Sequence, residues 1–194
     1  QWADGDGDGF GDNSEGVSPD DCPSMAGTST EDRLGCFDAD EDGYSDADAT
    51  WTTEDGADAF ANEPSQWSDF DEDGFGDNWA NMSWNDRTPS WPGEYHADAI
   101  GQDFCPTASG TSTEGGLLGC LDSDDDGWAN SIDDLPQEGT QWSDADGDGY
   151  GDNAEGSEPD ACNSIVGNST VDRFGCIDKD GDGYSDADIY WTPE

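Results

Sequence analysis

The sequence predicts an irregular fold with little regular secondary structure, laid out as an elongated tandem-repeat rod. Three observations predict it. Short acidic stretches punctuated by glycine recur along the whole chain, and cysteines recur in step with them. No window sustains the apolar period of an amphipathic helix or a half-buried strand. With 27 Gly and 9 Pro, the backbone is interrupted too often for long elements. Short strand pairs or single helical turns are expected only around residues 46–51 and 186–191.

Composition taken alone argues for disorder. Asp and Glu number 50 against 4 Lys and Arg, for a net charge of −46. Leu, Ile, Val and Phe together make 20 of 194 residues, against the roughly one-fifth below which a highly charged chain stays unfolded. Two features oppose that reading. Aromatics make up 11% of the chain, with nine Trp, and the acids stand at fixed offsets rather than in a run. Charge held in that way calls for a cationic partner. It excludes nucleic acid, which such a surface repels, and it disfavours an anionic membrane surface. No stretch approaches the ~18 apolar residues of a membrane span, so no membrane insertion is expected. No signal peptide is present, as expected of a mature secreted chain that has shed one.

The tandem units are marked by Gln-Trp-x-Asp, which begins at Gln1, Gln66 and Gln141. This gives unit 1 over 1–65, unit 2 over 66–140 and an incomplete unit 3 over 141–194. The third stops at Glu194, which aligns with Glu54, as expected of a piece of a longer array. Unit 2 carries a Trp- and Pro-rich insertion at about 79–96 and lacks the Arg present at Arg33 and Arg173.

Within the units, D-x-D-x-D-G occurs six times. The Asp triads are Asp4, Asp6 and Asp8; Asp38, Asp40 and Asp42; Asp69, Asp71 and Asp73; Asp122, Asp124 and Asp126; Asp144, Asp146 and Asp148; and Asp178, Asp180 and Asp182. Calcium takes six to eight oxygens at about 2.3–2.6 Å, and carboxylates at alternate positions of a tight loop converge on one such ion. The sixth-position Gly permits the sharp turn. The seventh residue offers its carbonyl and is aromatic every time: Phe10, Tyr44, Phe75, Trp128, Tyr150 and Tyr184. Its ring is free to pack inward. The ninth is Asp12, Asp46, Asp77, Asn130, Asp152 or Asp186. A twelfth-position acid stands at Glu15, Asp133 and Glu155, and elsewhere Asp48 and Asp188, one residue earlier, are candidate substitutes. Six or more calcium ions are expected. Magnesium is disfavoured because crowded all-protein carboxylate cages suit the larger ion. A solvated acidic linker would not repeat Gly and an aromatic after every third Asp. Further acids at the unit ends (Asp55, Asp58 and Glu63 with Asn62, and Asp133, Asp134 and Glu138) either complete these sites or are simply solvated.

The loops at 4–15 and 144–155 fit the EF-hand pattern D-x-D-x-D-G-x5-E. Their context does not, because Glu15 is followed by GVSP and Glu155 by GSEP, where Gly and Pro oppose a flanking helix. Tandem D-x-D-x-D-G-x-x-D loops separated by cysteines, as at 38–46 after Cys36, resemble thrombospondin type 3 repeats. The resemblance covers nearly the whole chain outside the insertion. It implies a calcium-wound, disulfide-tied, coil-like structure of the kind found in extracellular adhesion and matrix proteins. The units here are longer, with Thr/Ser-rich Cys loops and Gln-Trp openings that depart from that family. The pattern also resembles repetitive acidic surface proteins of microbes.

Six cysteines in three evenly spaced pairs indicate an oxidising, extracellular or cell-surface setting. Local pairing, Cys22 with Cys36, Cys105 with Cys120 and Cys162 with Cys176, is the simplest of the fifteen connectivities. Each bridge is worth roughly 3 kcal/mol in the chain-entropy picture. Zinc is the rival reading, but short Cys spacing and His partners are absent. Trp2, Trp51, Trp67, Trp142 and Trp191 are expected to form small satellite cores, with a sugar-binding platform as the sharper alternative. Asn81 and Asn168 head glycosylation sequons, and Thr28, Thr30, Thr111 and Thr113 are candidates for O-linked sugar. No catalytic constellation is read. The carboxylate pairs lack a core that would separate their pKa values, and His96 has no nucleophile beside it.

These readings converge on an extracellular structural protein, a segment or subunit of a self-associating fibre, sheath or surface layer. The alternative is a calcium-dependent adhesin stalk, or a glycan- or protein-binding module, presenting the insertion to a partner.

Overall fold

A computed structural model of the chain describes residues 3–87, 90–188 and 191. Gln1, Trp2, the end of the expected turn at 186–191 and the terminal Glu194 lie partly or wholly outside them. The chain divides into two compact units, Gln1–Ser109 and Gly110–Glu194, so the boundary falls inside the second sequence unit. Regular structure among the described residues amounts to two 3-10 turns, Thr53–Asp55 and Met82–Asp86, and four isolated bridges. No helix among them is long and apolar enough to cross a membrane. In place of a strand pair at 46–51 there is a turn, closed by the Asp48 N–H on the Trp51 carbonyl at 2.7 Å, and an isolated bridge between Asp46 and Asp58.

Hydrocarbon contributes little to the interior. The buried apolar residues are Cys36, Ala57, Trp79, Ala99, Cys120, Ala129 and Cys176, whereas Asp, Ser, Gln and Asn dominate the buried set. Buried polar groups persist only when partnered, so side chains here take over the work of secondary structure. In the first unit the Oγ of Ser29, wholly buried, accepts the Cys36 N–H at 2.9 Å and donates to the Arg33 carbonyl. In the second unit Ser112 and Ser169 repeat this on Cys120 and Cys176. Gly precedes each of these Ser by two residues because a Cβ at Gly27 would sit 1.8 Å from the Cys36 carbonyl oxygen. Disulfides close the same loops: Cys22–Cys36 and Cys162–Cys176 are bonded, Cys105 and Cys120 are disulfide-bonded as well, and no cysteine is free.

Aromatic rings form small local stacks. In the first unit Tyr44 stacks on Trp67 at 4.9 Å, with His96 edge-on to Trp67 at 5.8 Å. In the second, Trp128 stacks on Trp142 at 5.9 Å, and Tyr150 lies 5.7 Å from Phe174. Arg33 covers Trp51 and Arg173 covers Trp191, each at 5.4 Å.

Candidate metal centre

The D-x-D-x-D-G loops are wound by a shared hydrogen-bond pattern, except that Asp69 Oδ1 accepts the Asp73 N–H, one residue later than in the other loops. In the second loop Asp38 Oδ1 accepts the Glu41 N–H at 2.7 Å, and its Oδ2 accepts the Gly43 N–H at 3.1 Å. Asp42 accepts the Tyr44 N–H at 2.8 Å. Asp46 caps the Ala39 N–H at 3.1 Å, and its own N–H reaches the Phe37 carbonyl at 2.8 Å. The fifth loop repeats each bond: Gly147 and Gly149 donate to Asp144, Tyr150 to Asp148, Ala145 to Asp152, and Asp152 to the Ser143 carbonyl. The fourth-position backbone has positive φ throughout, even where the residue is Glu41, Glu72 or Asp125 rather than glycine. The winding turns backbone N–H groups onto the carboxylates of the first, fifth and ninth residues.

Five of the triads (at Asp4, Asp38, Asp69, Asp122 and Asp144) bring one carboxylate oxygen per residue within 4.8 Å of one another. The triad at Asp178 has the same hydrogen bonds from Gly181, Gly183 and Tyr184, with Asp180 and Asp182 exposed. Among the described residues, no backbone N–H donates to the carbonyls of Phe10, Tyr44, Phe75, Trp128, Tyr150 or Tyr184, so those oxygens remain available as donors to an ion.

A further acid faces each of the first five loops. Asp20, Asp58, Asp103, Asp133 and Asp160 are 6%, 3%, 0%, 8% and 7% exposed. Each gives Oδ1 to the N–H two residues on: Cys22 at 2.7 Å, Phe60 at 2.7 Å, Cys105 at 2.6 Å, Leu135 at 2.7 Å and Cys162 at 2.6 Å. Each leaves Oδ2 buried with no partner. Burial pushes Asp103 up to about 7; the Cys105 N–H opposes this, and the charges of Asp73, Asp71 and Asp77 add to it. Burial likewise pushes Asp58 up to about 7 and Asp160 to about 6, and it raises Asp20 and Asp133, with the facing triads adding to the shift. Asp77 at about 7 and Asp42 at about 6 rise for the same first reason.

Unpartnered carboxylate oxygens also belong to Asp6, Asp40, Asp42, Asp71, Asp77, Asp124, Asp126, Asp146 and Asp152. Like charges buried together without partners are untenable unless protonated or shared by a cation. The donor set is oxygen only, as a hard divalent cation requires. These Asp clusters could therefore hold metal ions.

Other sequence candidates lie elsewhere. Glu15 and Glu155 are exposed, and their backbone N–H groups cap onto Asn13 and Asn153. Asp48 and Asp188, the candidate substitutes for a twelfth-position acid, meet arginines. Their carboxylates are 2.8 and 2.9 Å from Arg33 and Arg173, and the Arg33 guanidinium together with the Thr50 N–H holds Asp48 below the usual carboxylate range. Asp186 is bound by Lys179 at 2.7 Å. Among the unit-end acids, Asp58 and Asp133 face triads, Asp55 caps Thr52, Glu63 accepts from Ser65, Glu138 from Thr140, and Asp134 from the Asp144 N–H. Asn81 and Asn168 are exposed. Sequence reasoning missed Asp20, Asp103 and Asp160. Their signal was D-x-C, the Asp two residues before the first cysteine of each pair.

No protein-family model matches the chain, and no curated protein resembles it in sequence.

Proposed function

We propose that this chain is an extracellular calcium-stabilised structural protein of tandem repeats, non-catalytic, and a rod-like segment or subunit of a fibre, sheath or surface layer. The observation that carries the calcium reading is the set of buried, unpartnered carboxylate oxygens that recurs at five loops. A chain of net charge −46 with few buried apolar residues needs bound cations to offset its repulsion once its acids are ionised. Calcium suits the crowded all-protein oxygen cages better than magnesium, which keeps its waters. Calcium binding is then linked to folding and adds to the stability of the fold. Cysteines that are all disulfide-bonded support an oxidising, extracellular setting. The structural role rests on the tandem phase of the units, and self-association is the consequence it requires.

Sedimentation velocity in millimolar calcium, repeated after chelation, tests the reading. Large calcium-dependent assemblies are expected. A chain unchanged by chelation would remove the calcium argument, and a discrete monomer in calcium would remove self-association.

A second reading, a stalk that presents a glycan-binding site, is favoured by one feature of the insertion. The Arg87 guanidinium lies 3.6 and 3.8 Å from the ring centroids of Trp84 and Trp91, and Phe104 meets Trp84 edge-on at 4.9 Å. Beside them opens a cavity of about 360 Å³ lined by Arg87, Trp91, Pro92, Phe104 and Pro106. The ion pairs among the described residues use Arg33, Arg173 and Lys179 and leave Arg87 without one. Glycan-array binding that is lost in Trp91→Ala would support the stalk.

A further inference from the structure

Five loops share a feature whose acid lies outside the twelve-residue loop in four of them and is the loop's own twelfth residue, Asp133, in the other. The backbone N–H of the distal acid donates to the carbonyl of the loop's eighth residue in every case. Asp20 donates to Gly11 at 2.9 Å, Asp58 to Ser45 at 2.9 Å, Asp103 to Gly76 at 2.8 Å, Asp133 to Ala129 at 3.1 Å, and Asp160 to Gly151 at 2.8 Å. The backbone therefore docks the acid against its loop. The turn onto the residue two further on fixes Oδ1, and Oδ2 is left nearly or wholly buried and unpartnered. Two loops show independently where the carboxylate lies: a Cβ at Gly35 would be 2.7 Å from Asp20 Oδ1 and 2.9 Å from Asp8 Oδ2, and one at Gly175 would meet Asp160 Oδ1 and, at 3.2 Å, Asp148 Oδ2.

The sequence distance between triad and distal acid varies widely, from Asp122 to Asp133 at one extreme and from Asp69 to Asp103 at the other. The whole Trp-rich insertion lies inside the second of these intervals. The docking bond and the turn are nonetheless the same to within a few tenths of an ångström. A structure that keeps one atom in place across an insertion of that length has a local requirement for it. Carboxylate oxygens buried without partners suit a dehydrated cation, whose oxygen contacts are only about 2.3–2.6 Å.

We infer that Asp20, Asp58, Asp103, Asp133 and Asp160 are each a ligand of the cation held by the loop they face. Outside the loop at Asp122, which its own twelfth residue closes, each ion is then a clasp between a D-x-D-x-D loop and a later chain segment. In the first, third and fifth loops that segment leads directly into a disulfide cysteine. This inference deepens the calcium reading and rests on it. Asp20 and Asp160 take the place that the exposed Glu15 and Glu155 would fill in a loop closed by its own twelfth residue.

The test counts calcium ions bound to the full disulfide-bonded chain by native mass spectrometry at fixed free calcium. Asp20→Asn keeps the acceptor for the Cys22 N–H and removes the anionic oxygen. It is expected to bind one ion fewer than the parent, whereas Glu15→Gln binds the same number. Asp6→Asn combined with Asp20→Asn should lose one ion in total, because both residues serve the same ion. Asp103→Asn repeats the test across the insertion. An unchanged count in Asp20→Asn, a loss of more than one ion, a loss in Glu15→Gln, or a two-ion loss in the double variant overturns the assignment. A parent chain that binds no calcium sinks the calcium reading itself, an outcome distinct from all of these.

Discussion

The side-chain amide of Gln66 holds Asn78 by both ends of its backbone: Oε1 accepts the Asn78 N–H at 2.9 Å and Nε2 donates to the Asn78 carbonyl at 3.0 Å. Nε2 also reaches the Ile100 carbonyl at 2.9 Å. Gln141 treats Asn153 in the same way and adds the Ser157 carbonyl at 3.0 Å. Both glutamines are almost wholly buried. The amide thus stands in for a strand partner, of which the described residues have none, and it fixes the segment that follows the first acidic loop of its repeat. Replacing it with Leu keeps the volume but orphans a buried N–H and carbonyls, each costing about 1–3 kcal/mol. Gln66→Leu and Gln141→Leu should each lower stability by at least about 2 kcal/mol, read as a reduced urea midpoint in saturating calcium. A midpoint unchanged from the parent would show that these contacts are incidental.

Position six of the acidic loops offers a backbone test. Gly43 has φ of 102°, and a Cβ there would approach Thr30 Oγ1 and Glu31 Cγ at 3.0 Å; Gly74 has φ of 91° with open space around it. Ala at either site incurs roughly 1–2 kcal/mol of left-handed strain, and at Gly43 the neighbours must also give way. Gly43→Ala is therefore expected to destabilise more than Gly74→Ala in the same urea assay. Equal losses would mean that the Thr30 and Glu31 side chains move aside freely.

Much of the site was legible because its spacing is local. The triads, the sixth-position glycine and the ninth-position acid follow from the chain's own turn, and the cysteine pairing follows from short separations. What the sequence hid is what the fold brings from a distance. Asp103 lies beyond an insertion from Asp69, and nothing in a loop motif points to it. Glu15 looked like a ligand because an EF-hand helix would carry it inward; with Gly16 next, and no helix formed, it remains exposed. Asp48 looked like a spare ligand, yet Arg33 claims it. The positive φ at Glu41, Glu72 and Asp125 was equally invisible, because those residues show none of glycine's usual signal for it.

The disulfides and the ion sites should weaken together. Asp20, Asp103 and Asp160 each end their turn on a cysteine N–H, so reduction loosens the segment that carries the distal carboxylate. Cys162→Ser with Cys176→Ser removes a cross-link worth about 3 kcal/mol. It is expected to weaken one calcium site at least tenfold in a calorimetric titration and leave the site at Asp38 unaltered. Equal affinities at all sites would separate the two features.

Acid should act in opposite directions with and without calcium. Asp58, Asp77 and Asp103 are pushed to about 7, and Asp42 and Asp160 to about 6, in each case first by burial. An acid whose folded pKa lies above its unfolded value favours the fold fully only below that unfolded value, and this contribution is lost as pH rises through the folded pKa. In chelator, therefore, the thermal midpoint should rise as pH falls from about 8 to about 5. With calcium present the same carboxylates must be ionised to bind, so protons compete with the ion over that window. The midpoint in calcium should then fall as pH falls, and the two curves should converge on the acid side. Parallel curves would mean that the buried carboxylates are not where the cation sits.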